Sequence, residues 1–184
     1  MIKKIFGVVA LSLDWATFFC ILDKIRVMNI FYINEDPIMA ARELADDHIR
    51  KMQIECAQMC CVAHWVNGGT APYKQSHTNH PSTKWTRESI QHYRWLTSHG
   101  LEICDEFEKR YGKKHKTKDV LEWLQTNEPN IPDAGFTNPP QCMPDQYKLK
   151  DTIEAYKNFY INDKIAIKRL DWKKLNNRPE WTKK

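Results

Sequence analysis

The chain predicts a mainly α, compact single-domain protein with two long helices and a short extended N-terminal segment. Three observations carry that expectation. Apolar residues recur at helical spacing over two stretches, Ile38–His64 and Ser82–Tyr111. Helix start and stop signals punctuate the chain: Asp36-Pro37 before the first stretch, Asn67-Gly68-Gly69 after it, and Thr117 ahead of a shorter segment. The 184 residues, 42% hydrophobic and 28% charged, suffice for one domain with a real core and argue against two.

Taken in order, residues 1–27 start with two lysines and an apolar run that Asp14 interrupts, with no small-residue cleavage site after it. They read as an over-extended gene start or an N-terminal hydrophobic segment, with the working domain at 28–184. Asn29–Ile33 form a short strand or extended stretch. Asp36 caps the first long helix and Pro37 occupies its first position. A polar loop follows to Pro81, and the second long helix then runs to Tyr111, weakened or bent at Gly100. Thr117 caps a short helix through Gln125. The five-proline stretch from Asn127 to Tyr147 is irregular, and a last helix covers Asp151–Lys164 ahead of a basic tail.

The first helix carries an anomaly. With His48 as zero at about 100° per residue, Ala41, Leu44, Ala45, Met52, Met59, Val62 and Ala63 fall within about −40° to +60°, and Glu55 falls at about −20°. Glu43, Asp46, Arg50 and Gln53 take the opposite side. A carboxylate inside an apolar stripe is costly unless it is paired or used. Pairing with Arg87 or Arg94 and a chemical role weigh evenly for Glu55. For His48 a hydrogen-bonded core histidine is the more ordinary reading. Seven helical residues separate the two by ~10 Å, so they flank a cavity rather than bond directly.

Charge is unevenly placed. The net charge is +5, yet Gln146–Lys184 alone hold eleven Lys/Arg against five Asp/Glu, or +6, leaving −1 for the remainder. Tyr147, Tyr156, Phe159, Tyr160, Trp172 and Trp181 interleave with those cations, which suits a polyanion carrying stackable rings. The plainer alternative is a solvated helix and tail. Only six glycines occur, with no GxxxxGK[ST] or GxGxxG, so no nucleotide cofactor is expected. The six cysteines form no CxxC and read as free thiols. His64, His77, His80, Cys60 and Cys61 superficially suggest zinc, but adjacent helical cysteines diverge by about 100° and do not share a metal easily. No metal is expected.

The block ELADDHI from Glu43, followed by Glu55 and then His64-Trp65-Val66-Asn67-Gly68, resembles the phage-type pyrimidine dimer DNA glycosylase/AP lyase family, the UV-repair endonuclease V kind. His80 ahead of an aromatic helix and Arg178-Pro179-Glu180-Trp181 near the C-terminus match in order. The resemblance implies a helical, monomeric, cofactor-free enzyme that acts on damaged or modified pyrimidines in double-stranded DNA and resides in the cytoplasm. Its nucleophile is the main-chain α-amine after the initiator Met, which carries over to Asn29; Asn disfavours Met removal, so Met28 is the alternative. Glu55 then assists at the sugar. His48, Lys51, His80, Arg178, Trp181 and Lys183 are implied to contact substrate or DNA, with Lys184 beside them and Lys51 as fallback nucleophile. Where the family has basic residues beside its Glu, this chain has Ile54 and Gln58. The rival functions are a non-catalytic nucleic-acid-binding protein and a small membrane-tethered protein anchored by residues 1–27.

Overall fold

A computed structural model describes residues 28–168 and 170–183. The expectations for residues 1–27 and for Lys184 therefore lie outside the described residues. Within them the protein is mainly helical, with no strand. No described helix is long and apolar enough to cross a membrane.

The extended segment enters the core instead of pairing in a sheet. Met28 to Ile33 are all buried, and the Asn29 side-chain oxygen accepts the amides of Ile30 and Phe31 at 2.8 and 2.9 Å. Phe31 takes a left-handed φ of 52°. Helix α1 (Pro37–Arg42) follows, with Asp36 accepting the amides of Ile38 and Met39 as expected.

The single helix expected over Ile38–His64 is three: α1, a one-turn α2 (Asp46–Ile49) and α3 (Met52–Val66). Distant partners hold the first break open. The Ala45 amide donates to the Tyr160 hydroxyl at 2.9 Å and the Asp46 amide to the Asp171 carbonyl at 2.9 Å. Arg110 donates to the carbonyls of Arg42 and Leu44, and Trp172 to that of Glu43. Backbone groups need partners but do not need helical ones, and here tertiary partners substitute for them. The break re-registers the wheel, so Asp46 and Gln53, expected outside, are buried.

The second stretch is likewise divided, into α4 (Pro81–Glu88) and α5 (Ile90–Tyr111). Ser89 between them is extended; its hydroxyl accepts the amides of Gln91 and Ala134, and the Ile90 amide donates to the Pro132 carbonyl. The proline-rich segment is therefore what interrupts the helix. Helix α6 (Thr117–Thr126) is capped by no side chain of Thr117, which is already its first residue. Helix α7 (Thr152–Phe159) starts at the Asp151 cap and continues as a π-helix over Tyr160–Ile165. Helix α5 is the hub and packs on α1, α3, α4 and α6.

Gly100 does not interrupt α5, which runs from Ile90 to Tyr111. A Cβ there would lie 2.9 Å from Leu121 Cδ2 and 3.0 Å from Cys56 Cβ, so the missing side chain lets α3, α5 and α6 approach closely. If Gly100 were only a weak helix residue, Gly100→Ala would stabilise the protein by up to about 1 kcal/mol. The packing reverses the sign. Gly100→Ala is expected to destabilise by about 1–3 kcal/mol, and urea unfolding at constant pH checks it.

Candidate active site

A cleft of about 890 Å³ opens between the N-terminal segment, α3, the start of α4, the proline-rich segment and the π-helix. Asn29, buried to 5% exposure, lies at its floor, and its main-chain N–H donates to Glu55 Oε2 at 2.9 Å. The Asn29 side chain is anchored twice. Its amide nitrogen donates to the Cys142 carbonyl at 2.9 Å, while its oxygen holds the two following amides. Glu55 is only half-buried and sits in the first turn of α3, where the helix dipole favours a negative charge. The arginines considered as its structural partners are engaged elsewhere: Arg87 with the carbonyls of Thr78 and Thr83, Arg94 with Glu128.

His48 forms part of the wall. Its Nδ1 lies 2.7 Å from the Tyr160 hydroxyl, which already accepts the Ala45 amide. Phe31 stacks on the ring at 4.2 Å. Burial, with Lys51 and Lys164 adding repulsion, holds the His48 pKa well below its usual value. His80 caps α4, its Nδ1 accepting the Ser82 amide at 3.2 Å. Its pKa is also lowered, first by burial and then by His77.

Of the residues singled out in the sequence, Asn29, Glu55, His48, Lys51 and His80 all line this cleft. Arg178, Trp181 and Lys183 do not. Arg178 clamps the Thr182 hydroxyl and carbonyl and lies over Trp172. Trp181 donates to Glu43 at 3.0 Å and packs edge-on against Tyr160, so it buttresses the residue that orients His48. Lys183 pairs with Glu180.

The cleft's other cations are Lys148, Lys164 and Lys168, none singled out in the sequence. The i,i+4 spacing of Lys164 and Lys168 was the signal that places both on one side. A second, more polar cavity of about 570 Å³ adjoins, sharing His48, Lys51, Lys164 and Lys168 and adding Arg50 and Asp47. The apolar lining, including Met52, Met143, Pro140 and Phe159, was equally unmarked.

The model of the pyrimidine dimer DNA glycosylase family matches residues 28–119, half of the 184-residue chain. The chain belongs to this family. No curated protein and no solved structure matches it. The family's defining span holds Asn29, His48, Lys51, Glu55 and His80. The cleft residues from Pro140 to Lys168 lie outside that span. Among the described residues no three His, Cys, Asp or Glu side chains cluster in a metal-binding arrangement.

The buried imidazoles set a pH dependence. His48 and His99 are fully buried, and burial lowers the His99 pKa to about 4. In the unfolded chain both take up protons near the ordinary value of about 6.5. Below that pH the unfolded state binds more protons, so stability falls as pH drops and levels only below the folded pKa. Between pH 7.5 and 5, His99 alone is expected to remove roughly 2 kcal/mol. Urea unfolding at the two pH values checks this, and part of the slope should vanish in His99→Gln.

Proposed function

We propose that the protein removes damaged or modified pyrimidines from duplex DNA by attack of a main-chain amine at Asn29, with Glu55 as its proton partner. The observation that carries this reading is the 2.9 Å contact between the Asn29 nitrogen and Glu55 Oε2 at the floor of a cation-rimmed cleft. A free α-amine has a pKa near 8, so a useful fraction is neutral at pH 7. Its lone pair attacks C1′ of the deoxyribose while the bond from C1′ to the base breaks and the base leaves with the pair, to be protonated. The nitrogen loses its extra proton to Glu55, the sugar ring opens as the C1′–O4′ bond breaks, and O4′ takes up that proton. The product is an imine. Loss of a C2′ proton then expels the 3′ phosphate and cuts the strand, the lyase step. Glu55 also opposes the positive charge that develops on the sugar.

An amide nitrogen has no lone pair free for this attack, so the mechanism requires a chain that starts at Asn29, or at Met28 if the amine is carried there. The family match beginning at Met28 supports such a start. A second reading rests on Lys51, an exposed amine on the same cleft. Full-length and Met28-start proteins are to be incubated with UV-irradiated duplex and borohydride. The expected outcome is a covalent protein–DNA adduct from the short form alone, with mass mapping to its N-terminal residue. An adduct from a verified intact full-length chain would transfer the nucleophile to Lys51. No adduct from either form, with DNA bound, would favour a non-catalytic DNA-binding protein.

Glu55→Gln keeps an oxygen for the Asn29 nitrogen while removing the charge. The variant is expected to fold, bind lesion DNA and lose about 10²-fold or more in turnover. It should melt no lower than the wild type, because functional carboxylates often cost stability. Near-normal turnover per folded molecule, with a much lower Tm, would make Glu55 a structural residue.

A further inference from the structure

Two adjoining cavities differ in their lining. The large cleft carries apolar groups, among them Met52, Pro140, Met143 and Phe159. The smaller one, of about 570 Å³, is lined by four cationic side chains, Arg50, Lys51, Lys164 and Lys168, together with Asp47 and His48. Those cations come from two stretches of chain. Arg50 and Lys51 form the link between α2 and α3; Lys164 lies on the π-helix and Lys168 on the turn after it. Tertiary hydrogen bonds fix the two stretches against each other. The Tyr160 hydroxyl, at the start of the π-helix, accepts the Ala45 amide at 2.9 Å and lies 2.7 Å from His48 Nδ1. The Lys168 amide donates to the Asp163 carbonyl at 3.3 Å, so that lysine is carried on an ordered turn.

We infer that the smaller cavity is a phosphate-binding site that seats a backbone phosphate of the DNA; the DNA source rests on the glycosylase reading. A concave surface lined by one sign of charge focuses the field and concentrates counter-ions. Two of the cations already have acidic neighbours, Arg50 with Asp47 at 3.7 Å and Lys164 with Asp163 at 3.2 Å. Counting both carboxylates, these side chains still hold two positive charges in excess. The Arg50–Asp47 pair is 64% and 63% exposed, and an ion pair so exposed holds weakly. A phosphate offers arginine two parallel acceptors instead. His48 adds no charge at neutral pH, because burial and then repulsion from Lys51 and Lys164 hold its pKa well below the usual value. Repulsion of one imidazolium by both lysines brings charge from the two stretches to a single ring. Lys51 is also the N-cap of the 15-residue α3, where the helix dipole is positive. Among the described residues none before Asp47 lines this cavity, so the site does not use the residue at which the chain begins.

The test compares the full chain with two double variants that remove equal charge. Arg50→Gln/Lys168→Gln changes the cavity, and Lys113→Gln/Lys116→Gln changes the exposed basic loop after α5. Inorganic phosphate is titrated calorimetrically at constant ionic strength. Wild type and the loop variant should bind it saturably, and the cavity variant at least about tenfold more weakly. Affinity for UV-irradiated duplex is then measured against salt. The log–log slope should flatten by about 0.9, one phosphate contact, in the cavity variant and stay unchanged in the loop variant. Arg50→Gln alone, at a 64% exposed side chain, should show a smaller loss of the same kind and serves if the double variant does not fold. No saturable phosphate binding by the wild type, or equal weakening in both double variants, overturns the site. Phosphate binding lost from the cavity variant with an unchanged duplex slope overturns the DNA source. A wild type that takes up phosphate as expected but binds no duplex in either chain form overturns the glycosylase reading, and the DNA source with it, while the cavity's affinity for phosphate stands.

Discussion

The buried guanidinium of Arg110 is the constraint on which the site's geometry depends. Its side chain is fully buried, pairs with Asp46 and Glu106, and donates to the carbonyls of Arg42 and Leu44. Those carbonyls belong to the stretch where the first helix stops and restarts. A buried cation stripped of its partners costs roughly 3–5 kcal/mol, so the break between α1 and α2 is held by an interaction the chain cannot surrender locally. The break in turn turns His48 toward Tyr160 and lets α3 begin with Glu55 in its first turn.

Around that frame the chain divides its chemistry between two regions. The span that marks the family contributes the nitrogen of Asn29, the carboxylate of Glu55, and the imidazoles of His48 and His80. Polar groups there are oriented by fixed hydrogen bonds, which reduces the reorganisation needed when charge develops. The remainder of the chain contributes surface: proline-rich backbone from Pro140 to Pro144, and lysines on and after the π-helix. Helices of π type are uncommon and often mark functional sites; here one presents Tyr160 inward and Lys164 to the cleft. The two regions meet through the Asn29–Cys142 and Tyr160–Ala45 hydrogen bonds.

The helical class, the Asp36 cap and the placement of His48 and Glu55 against the interior were legible in the sequence, because periodicity and caps act over a few residues. So was the choice of the five candidate residues that line the cleft, through a resemblance whose firm identities lie in Glu43–Gly68 and the tail. The uneven charge pointed to the C-terminal region, and the resemblance singled out Arg178 and Lys183, which do not line the cleft and hydrogen-bond Thr182 and Glu180. Lys148 carried no mark, and Lys164 and Lys168 only their four-residue spacing, since a lysine's partner or cavity is not a local property. Asp46 and Gln53 were assigned to the outside by a wheel that assumed an unbroken helix.

Local pattern by itself determined that the chain is helical, where the two long helical stretches begin, and which residue types crowd the first of them. Tertiary structure decided where the first helix breaks, because the groups that capture its freed amides and carbonyls come from more than sixty residues away in sequence: Arg110, Tyr160, Asp171 and Trp172. It also brought the Asn29 nitrogen to Glu55 across 26 residues. Hydrogen-bond partners at that separation leave no period in a sequence; only the packed chain brings them within reach.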